Sequence, residues 1–310
     1  MNLNRKFENV VLIVSAGRGH RAASAYPKQY FPLGGQTILS RTARIFLDHP
    51  KIDAVRVVIH PDDEELYVST TRDLELLTPV YGGPERQDSV RLVLESLVEL
   101  APSNVLIHDS VRPFISDTII DKILVMLVKG QSCAPGLSVN DTVKRVEKGY
   151  IVKTMDRSNM WQVQTPQGFP YNDILAAHRS LIGKNLTDDA AVAEAYGLSV
   201  AVVPGSSDNV KITYQEDLDR ASESLIIESP DVRVGNGYDV HRFGKGEFVT
   251  ICGVRIPHTH TLEGHSDADV GLHALTDAIL GAASKGDIGA YFPSNDDKWL
   301  DAPSQTFLKK

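Results

Sequence analysis

The chain has 310 residues and a formal net charge of −8, with 42% hydrophobic and 23% charged residues. That is the composition of an ordinary globular protein long enough for two domains. The acidic balance excludes a general nucleic-acid binder, which depends on cationic surface, so the basic residues that matter are local and inside a site.

Two cysteines, Cys133 and Cys252, lie far apart without C-x-x-C spacing, so neither a disulfide framework nor a thiolate zinc site is indicated. Arg5 and Lys6 precede an apolar run of only Val10–Val14. That run is too short for a signal-peptide core, and no apolar stretch reaches the length of a membrane span, so the chain reads as cytoplasmic with no membrane partner.

Val10–Val14 is β-branched and apolar and reads as a buried strand. It runs into a small-residue loop containing Ser15, Ala16, Gly17, Arg18, Gly19 and Arg21, and Lys28 follows within Pro27-Lys28-Gln29-Tyr30. A glycine loop with three cations at a strand end offers what a triphosphate needs, because close backbone N–H donors and positive charge neutralise it. Gly17-x-Gly19-x-x-Ala22 also fits a dinucleotide fingerprint, which requires a helix opening at the loop. Pro27 and the aperiodic run Ala22–Ala25 argue against that helix, and no acidic residue stands where ribose binding would need one.

Beyond the loop, helical spacing over Ile38–Leu47 and Ser89–Leu100 alternates with strands at Ala54–Ile59 and Asn104–His108. This alternation predicts an α/β fold, a mostly parallel sheet with helices on both faces and ligands at the carboxyl ends of its strands. Gly82-Gly83-Pro84 leads into a helix that Asp88 or Ser89 could cap. Asp109, just past a strand end and three residues before Arg112, is by itself a cap or turn former. The stretch from Asp141 and Thr142 through Arg157 to Thr165 frames a hairpin turning at Glu147–Tyr150, read alone as a solvated rim. Asp188 and Asp189 begin a helix ending near Gly197, and Lys211 reads as a surface lysine on a strand.

Ala16-Gly17-x-Gly19-x-Arg21 with Pro27-Lys28-Gln29-Tyr30, His108-Asp109-x-x-Arg112-Pro113 and Asn209-x-Lys211-x-Thr213 together resemble the 2-C-methyl-D-erythritol 4-phosphate cytidylyltransferase family across residues 8–227. The resemblance implies a Rossmann-like nucleotidyltransferase sheet with a projecting β arm. It also implies transfer of CMP from CTP to 2-C-methyl-D-erythritol 4-phosphate with Mg²⁺, releasing pyrophosphate. In that family's terms Arg21 and Lys28 stabilise the transition state, and the loop with Gly83 and Ser89 holds the cytosine ring, largely through backbone. Asp109 stands near magnesium and Arg112 near the substrate phosphate. Thr142, Arg157 and Thr165 bind the methylerythritol phosphate on an arm that crosses a homodimer, while Lys211 is a second cation on the α-phosphate and, with Arg157, positions the nucleophile.

The polar linker from Glu228 to Asp231 divides a first domain, residues 1–230, from a second, residues 231–310. Asp239 and His241 are two apart, so on a strand both face one way. His273 falls in the first turns of a helix predicted over Val270–Ala283. Two imidazoles and one carboxylate with a fourth position open make a catalytic zinc set, though Mn²⁺ and Co²⁺ remain compatible.

With His265-Ser266-Asp267-x-Asp269, Leu272-His273 and Gly286-Asp287-x-Gly289, the segment is similar to the 2-C-methyl-D-erythritol 2,4-cyclodiphosphate synthase family. The resemblance implies zinc on Asp239, His241 and His273. It places His265 and Ser266 beside the reacting phosphates, and Asp287 and Gly289 on the methylerythritol. From Val232 onward there are 79 residues, roughly half of that family's α+β domain. The strands that finish the sheet, the cytidine-binding segment and parts of a trimer interface are then expected to be missing, leaving only the first activity. The alternative is another sugar- or polyol-phosphate nucleotidyltransferase with a non-catalytic zinc-binding or oligomerisation tail.

Overall fold

The structure, a computed structural model, describes residues 7–18, 27–228, 232–264, 266–293, 296–299 and 302–309. The chain divides into two compact units, Met1–Glu228 and Ser229–Lys310.

The first unit is built on β1 (Asn9–Ser15), flanked in parallel by β2 (Ala54–Ile59) and by Asn104–Asp109. β3 (Leu77–Tyr81) extends the sheet beyond β2, also in parallel. With Asn104–Asp109 as β4, the sheet continues on its far side through Gln167–Pro170, which runs antiparallel to β4 and to Ser132–Ser138. Val200–Pro204 closes it in parallel to Ser132–Ser138. The expected mostly parallel sheet is therefore present, with Gln167–Pro170 and the edge strand Trp161–Val163 running against their neighbours.

β1 reads as one apolar run because both of its faces are covered. Val11 and Ile13 point to one face, against α1 (Ile38–Asp48) and the helix Asp117–Val128, where Phe46, Ile120 and Ile123 are buried. Val10 and Leu12 point to the other, against α2 (Arg86–Glu95) and α3 (Tyr171–Ser180), where Val90, Val93 and Ile174 are buried. Fully burying each such side chain contributes about 1.5–3 kcal/mol, so the two apolar faces make β1 the rigid floor beneath the loops at its end. Because β2 and β4 lie on opposite sides of β1, the crevice at their carboxyl ends is the topological switch point where ligands of such sheets bind.

Three elements differ from the sequence reading. α2 runs Arg86–Glu95 rather than from Ser89 to Leu100. Its N-cap is Glu85, and the Ser89 hydroxyl turns back to the Gly83 N–H instead of capping the helix. At its other end Arg56 donates to the Ser96 carbonyl, tying the last turn to β2. Asp109 is the last residue of β4, and Lys211 stands on an irregular segment beyond Val200–Pro204 rather than on a strand. The expected hairpin is present as Lys144–Glu147 paired with Tyr150–Thr154, and every one of its residues is exposed.

The second unit has two antiparallel ribbons, Phe243–Lys245 with His260–Leu262 and Phe248–Ile251 with Val254–Pro257, and the helix Val270–Ala282, here α4. Fully buried Asp269 caps α4 through the Leu272 N–H and also accepts the Cys252 N–H, so one carboxylate seats the helix on the second ribbon. Asp239 and His241 lie on an unpaired extended segment, not on the expected strand. Gly235 and Gly237 let that segment lie directly on α4: a Cβ at Gly237 would stand 1.7 Å from the Ala274 carbonyl oxygen. Among the described residues no helix is long and apolar enough to cross a membrane.

Candidate active site

The glycine loop at the end of β1 is held from below by Gln29, whose side-chain amide donates to the Ser15 and Gly17 carbonyls at 2.8 and 3.2 Å. It touches the loop after β3, where a Cβ on Gly82 would come within 2.5 Å of the Ala16 Cβ. Ser89 Oγ accepts from the Gly83 N–H at 3.1 Å and also lies 3.1 Å from the Glu85 carbonyl, to which it donates. The serine therefore shapes the loop and leaves backbone groups as its polar surface. Arg18, counted with the loop cations from sequence, is instead held by Asp62, His60 and Asp63. Arg21 and Gly19 lie outside the described residues.

Cations converge on Asp109. Lys211 Nζ is 2.8 Å from Oδ2, Arg112 Nε is 3.8 Å from the same oxygen, and Arg86 Nη2 is 3.6 Å from Oδ1. Burial raises the Asp109 pKa, but Arg86, Lys211 and Arg112 outweigh it and hold the carboxyl below its ordinary range, so it is ionised at neutral pH. Lys28 Nζ donates to the Thr213 carbonyl at 2.9 Å, which brings the loop lysine to the segment that carries Lys211.

The position of Asp109 is fixed by its neighbours in β4 and by the bend that precedes Gln167–Pro170. Its N–H donates to Thr165 Oγ1 at 3.1 Å, and Thr165 Oγ1 lies 3.1 Å from His108 Nδ1. His108 Nε2 stands 3.1 Å from the Arg112 carbonyl, which can only accept, so the ring proton is on Nε2 and Nδ1 accepts from Thr165. Burial pushes the His108 pKa down to about 4, consistent with that neutral tautomer. Buried Asn209 donates to the Thr165 carbonyl at 2.9 Å while its own carbonyl accepts from Arg112 at 2.7 Å. The Lys211 segment is thereby tied to the end of β4.

Arg157 and Thr142, both exposed, are not part of this cluster: among the described residues neither side chain makes an ion pair or hydrogen bond. Sequence reasoning passed over Arg86, His108, Asn209 and Asp189 as site residues. Arg86 stands two residues after Pro84 at the start of α2, but its role depends on Asp189, 103 positions away and 2.8 Å from its guanidinium. Asp188 caps the helix Asp189–Tyr196, whereas Asp189 is fully buried against Arg86, a difference that two adjacent aspartates do not reveal in sequence.

In the second unit Asp239, His241 and His273 come together. Asp239 Oδ2, His241 Nε2 and His273 Nδ1 are separated by 2.8, 3.0 and 3.3 Å. Tetrahedral ligands about 2.0–2.1 Å from zinc stand about 3.3 Å apart, close to this spacing. Each imidazole turns its other nitrogen to an oxygen acceptor: His241 Nδ1 to the Glu263 carbonyl at 2.6 Å, and His273 Nε2 to Ser304 Oγ at 2.8 Å. Such outer partners fix the tautomer that leaves the inward nitrogen free for a metal, so the donor set fits a divalent cation. Ser266 Oγ lies 3.1 Å from His273 Nε2. Asp287 caps the short helix Ile288–Tyr291, which contains Gly289, and neither residue bonds to the three ligands. His265 lies outside the described residues.

The chain matches the family model of 2-C-methyl-D-erythritol 4-phosphate cytidylyltransferase over residues 9–227 and that of the YgbB family over residues 232–310. It is 52% identical to the bifunctional enzyme IspD/IspF of Rhodospirillum rubrum over 96% of this chain and 78% of that protein. To the corresponding protein of Mesorhizobium japonicum it is 49% identical, over 96% and 76%. Among solved structures, the bifunctional IspDF of Campylobacter jejuni is similar at a TM-score of 0.59 and 27% identity, covering 97% of this chain and 77% of that one. The 4-diphosphocytidyl-2C-methyl-D-erythritol synthase of Anaerococcus prevotii is similar at 0.62 and 29%, covering 71% and 99%. With most of its length matched by one family model and the remainder by the other, the chain belongs to the 2-C-methyl-D-erythritol 4-phosphate cytidylyltransferases, in the bifunctional IspD/IspF form that carries a YgbB-family second unit.

Proposed function

We propose that the first unit transfers CMP from CTP to 2-C-methyl-D-erythritol 4-phosphate at the crevice beside β1 and β4. The observation that carries this reading is the convergence of Lys211, Arg112 and Arg86 on ionised Asp109, with Lys28 bonded to the same Lys211 segment. A phosphate oxygen of the methylerythritol phosphate forms a bond to the α-phosphorus of CTP as the bond from that phosphorus to pyrophosphate breaks. Such a transfer asks the protein for positioning and charge neutralisation more than for covalent chemistry.

Lys28 and Arg21 neutralise the triphosphate, the loop with Gly83 reads the base through backbone, and Lys211 and Arg112 receive the second phosphate. Asp109, held ionised and offering hard oxygen donors, suits Mg²⁺, which supplies further neutralisation of phosphate charge when bound. Arg157 and Thr142 serve a neighbouring subunit's substrate across a homodimer. Their exposure on the hairpin arm and lack of partners among the described residues support that assignment. In the second unit Asp239, His241 and His273 would hold zinc, which would supply Lewis-acid polarisation of a phosphoryl oxygen.

Lys28→Ala tests the first reading. The variant should fold normally and lose about 10²–10³-fold in pyrophosphate release from CTP and methylerythritol phosphate. Turnover within a few-fold of the parent would remove Lys28 from the reaction and with it the proposed grip on the triphosphate.

A further inference from the structure

Asp109 has a partner that the transfer reaction does not call for. Arg86, the first residue of α2, reaches 3.6 Å from Asp109 Oδ1 and 2.8 Å from Asp189 Oδ2. Asp189 opens the helix Asp189–Tyr196 and is fully buried, and its other oxygen lies 3.3 Å from Nε2 of equally buried His178. The Gly82-Gly83 turn leads to Arg86 at the crevice, while Asp189 comes from a helix packed against α3.

We propose that Arg86, anchored by Asp189, is a positioning residue for CMP transfer: it grips one oxygen of Asp109 and thereby turns the other toward Lys211, Arg112 and the incoming phosphates. The proposal rests on the crevice being the transfer site. Three features of the geometry support it. One Arg86 nitrogen, Nη2, faces both carboxylates, so the bond to Asp189 sets where the positive charge beside Asp109 stands. Lys211 and Arg86 hold different oxygens of Asp109, so together they fix the rotation of the carboxylate, which neither alone would do. An ion pair with one fully buried partner is also a poor device for stability alone, since apolar residues of similar volume often stabilise as well or better. Asp189 has a further role in this arrangement. Placed at a helix N-terminus, where negative charge is favoured, it balances Arg86 and limits how strongly the arginine neutralises Asp109.

The test uses the full chain, with kcat and KM measured for both substrates and pyrophosphate release as the signal. Asp189→Asn releases the anchor while leaving every group near the substrate in place. It should lower kcat by at least about tenfold, as expected for a misplaced reacting group, with the KM for CTP changed less than about twofold. In an Asp109→Asn background the same substitution should cause no further loss, because the group being aimed is already gone. If Asp189→Asn melts below the assay temperature, Arg86→Met with Asp189→Leu removes the charge pair as a unit and carries the same expectations. Parental kcat in the anchor variants, or an equal further loss in the Asp109→Asn background, would mean that the pair only staples helices. If Asp109→Asn is impaired and Asp189→Asn is not, this proposal alone is overturned. If Asp109→Asn turns over like the parent, the site reading fails and the proposal fails with it.

Discussion

Gly237→Ala should uncouple the three metal ligands proposed for the second unit without touching any of them. Gly237 lies two residues before Asp239, and Ala274 follows His273, so the contact between this glycine and α4 sets how the three ligands meet. A Cβ at Gly237 would stand 1.7 Å from the Ala274 carbonyl oxygen, where carbon and oxygen need about 3.3 Å, so the segment must retreat by about 1.6 Å. Ligand distances in a working site tolerate about 0.2 Å, several times less than that shift. Zinc affinity, measured by competition with a chromogenic chelator, should fall at least about 100-fold, the upper end of what disturbing outer contacts does. Gly281→Ala is the matched control: its Cβ would meet only the Asn236 carbonyl oxygen, at 3.9 Å. That variant should keep the parental zinc affinity and gain up to about 1 kcal/mol from helix propensity. Parental affinity in Gly237→Ala, with circular dichroism showing the fold retained, would refute the claim that backbone contact assembles the site.

Asn209→Ala should raise the KM for methylerythritol phosphate and leave that for CTP nearly unchanged, since it frees the segment carrying Lys211 from the Thr165 carbonyl; an unaltered ratio of the two constants would count against the tie. Burial holds the His108 pKa at about 4 against an ordinary 6.5, so the folded state keeps the ring neutral where the unfolded chain takes up a proton. Stability contributed above pH 6.5 is then lost as pH falls toward 4, by about 3 kcal/mol, and the melting temperature of the parent should drop more over that interval than that of His108→Gln. Phe46→Ala empties a fully buried position whose ring meets His108 edge-on at 4.9 Å, and should cost about 3–5 kcal/mol in denaturant titrations; a loss under 1 kcal/mol would show that this face of the sheet repacks.

The sheet and the loops at its end were legible in the sequence because each rests on a local pattern. Val10–Val14 is apolar at every position because the strand is covered on both faces, and Gly82-Gly83 marks a place where two loops touch. What could not be read is what depends on distant partners. Arg18 looked equivalent to the other loop cations, yet its charge is met by an acidic turn more than 40 residues away. Lys211 looked like a strand residue because Val210 and Ile212 flank it. The segment is instead shaped by Asn209, and Ile212 packs with Leu33 and Ile38 in a small cluster of its own. Asp239 and His241 were assigned to one face of a strand, and they do meet. They meet because glycines lay the chain on a helix, with no ladder involved.

A chain of net charge −8 that handles triphosphates must concentrate its cations, and like charges brought together repel unless something opposes them. Here the opposition is built in. Asp109 stands among Lys211, Arg112 and Arg86, and Asp189 stands behind Arg86, so the cluster is close to balanced before any phosphate enters. An entering phosphate then competes with a resident carboxylate for the same cations, and its binding energy is reduced by what Asp109 already receives. That competition favours ligands carrying several charges, which can engage Lys28 and the glycine loop together with Lys211, over single phosphate groups that reach one of them. The second unit is built differently. The two imidazoles and one carboxylate proposed there as metal ligands would leave the positive charge to a divalent cation, so selectivity would pass from side-chain balance to the metal.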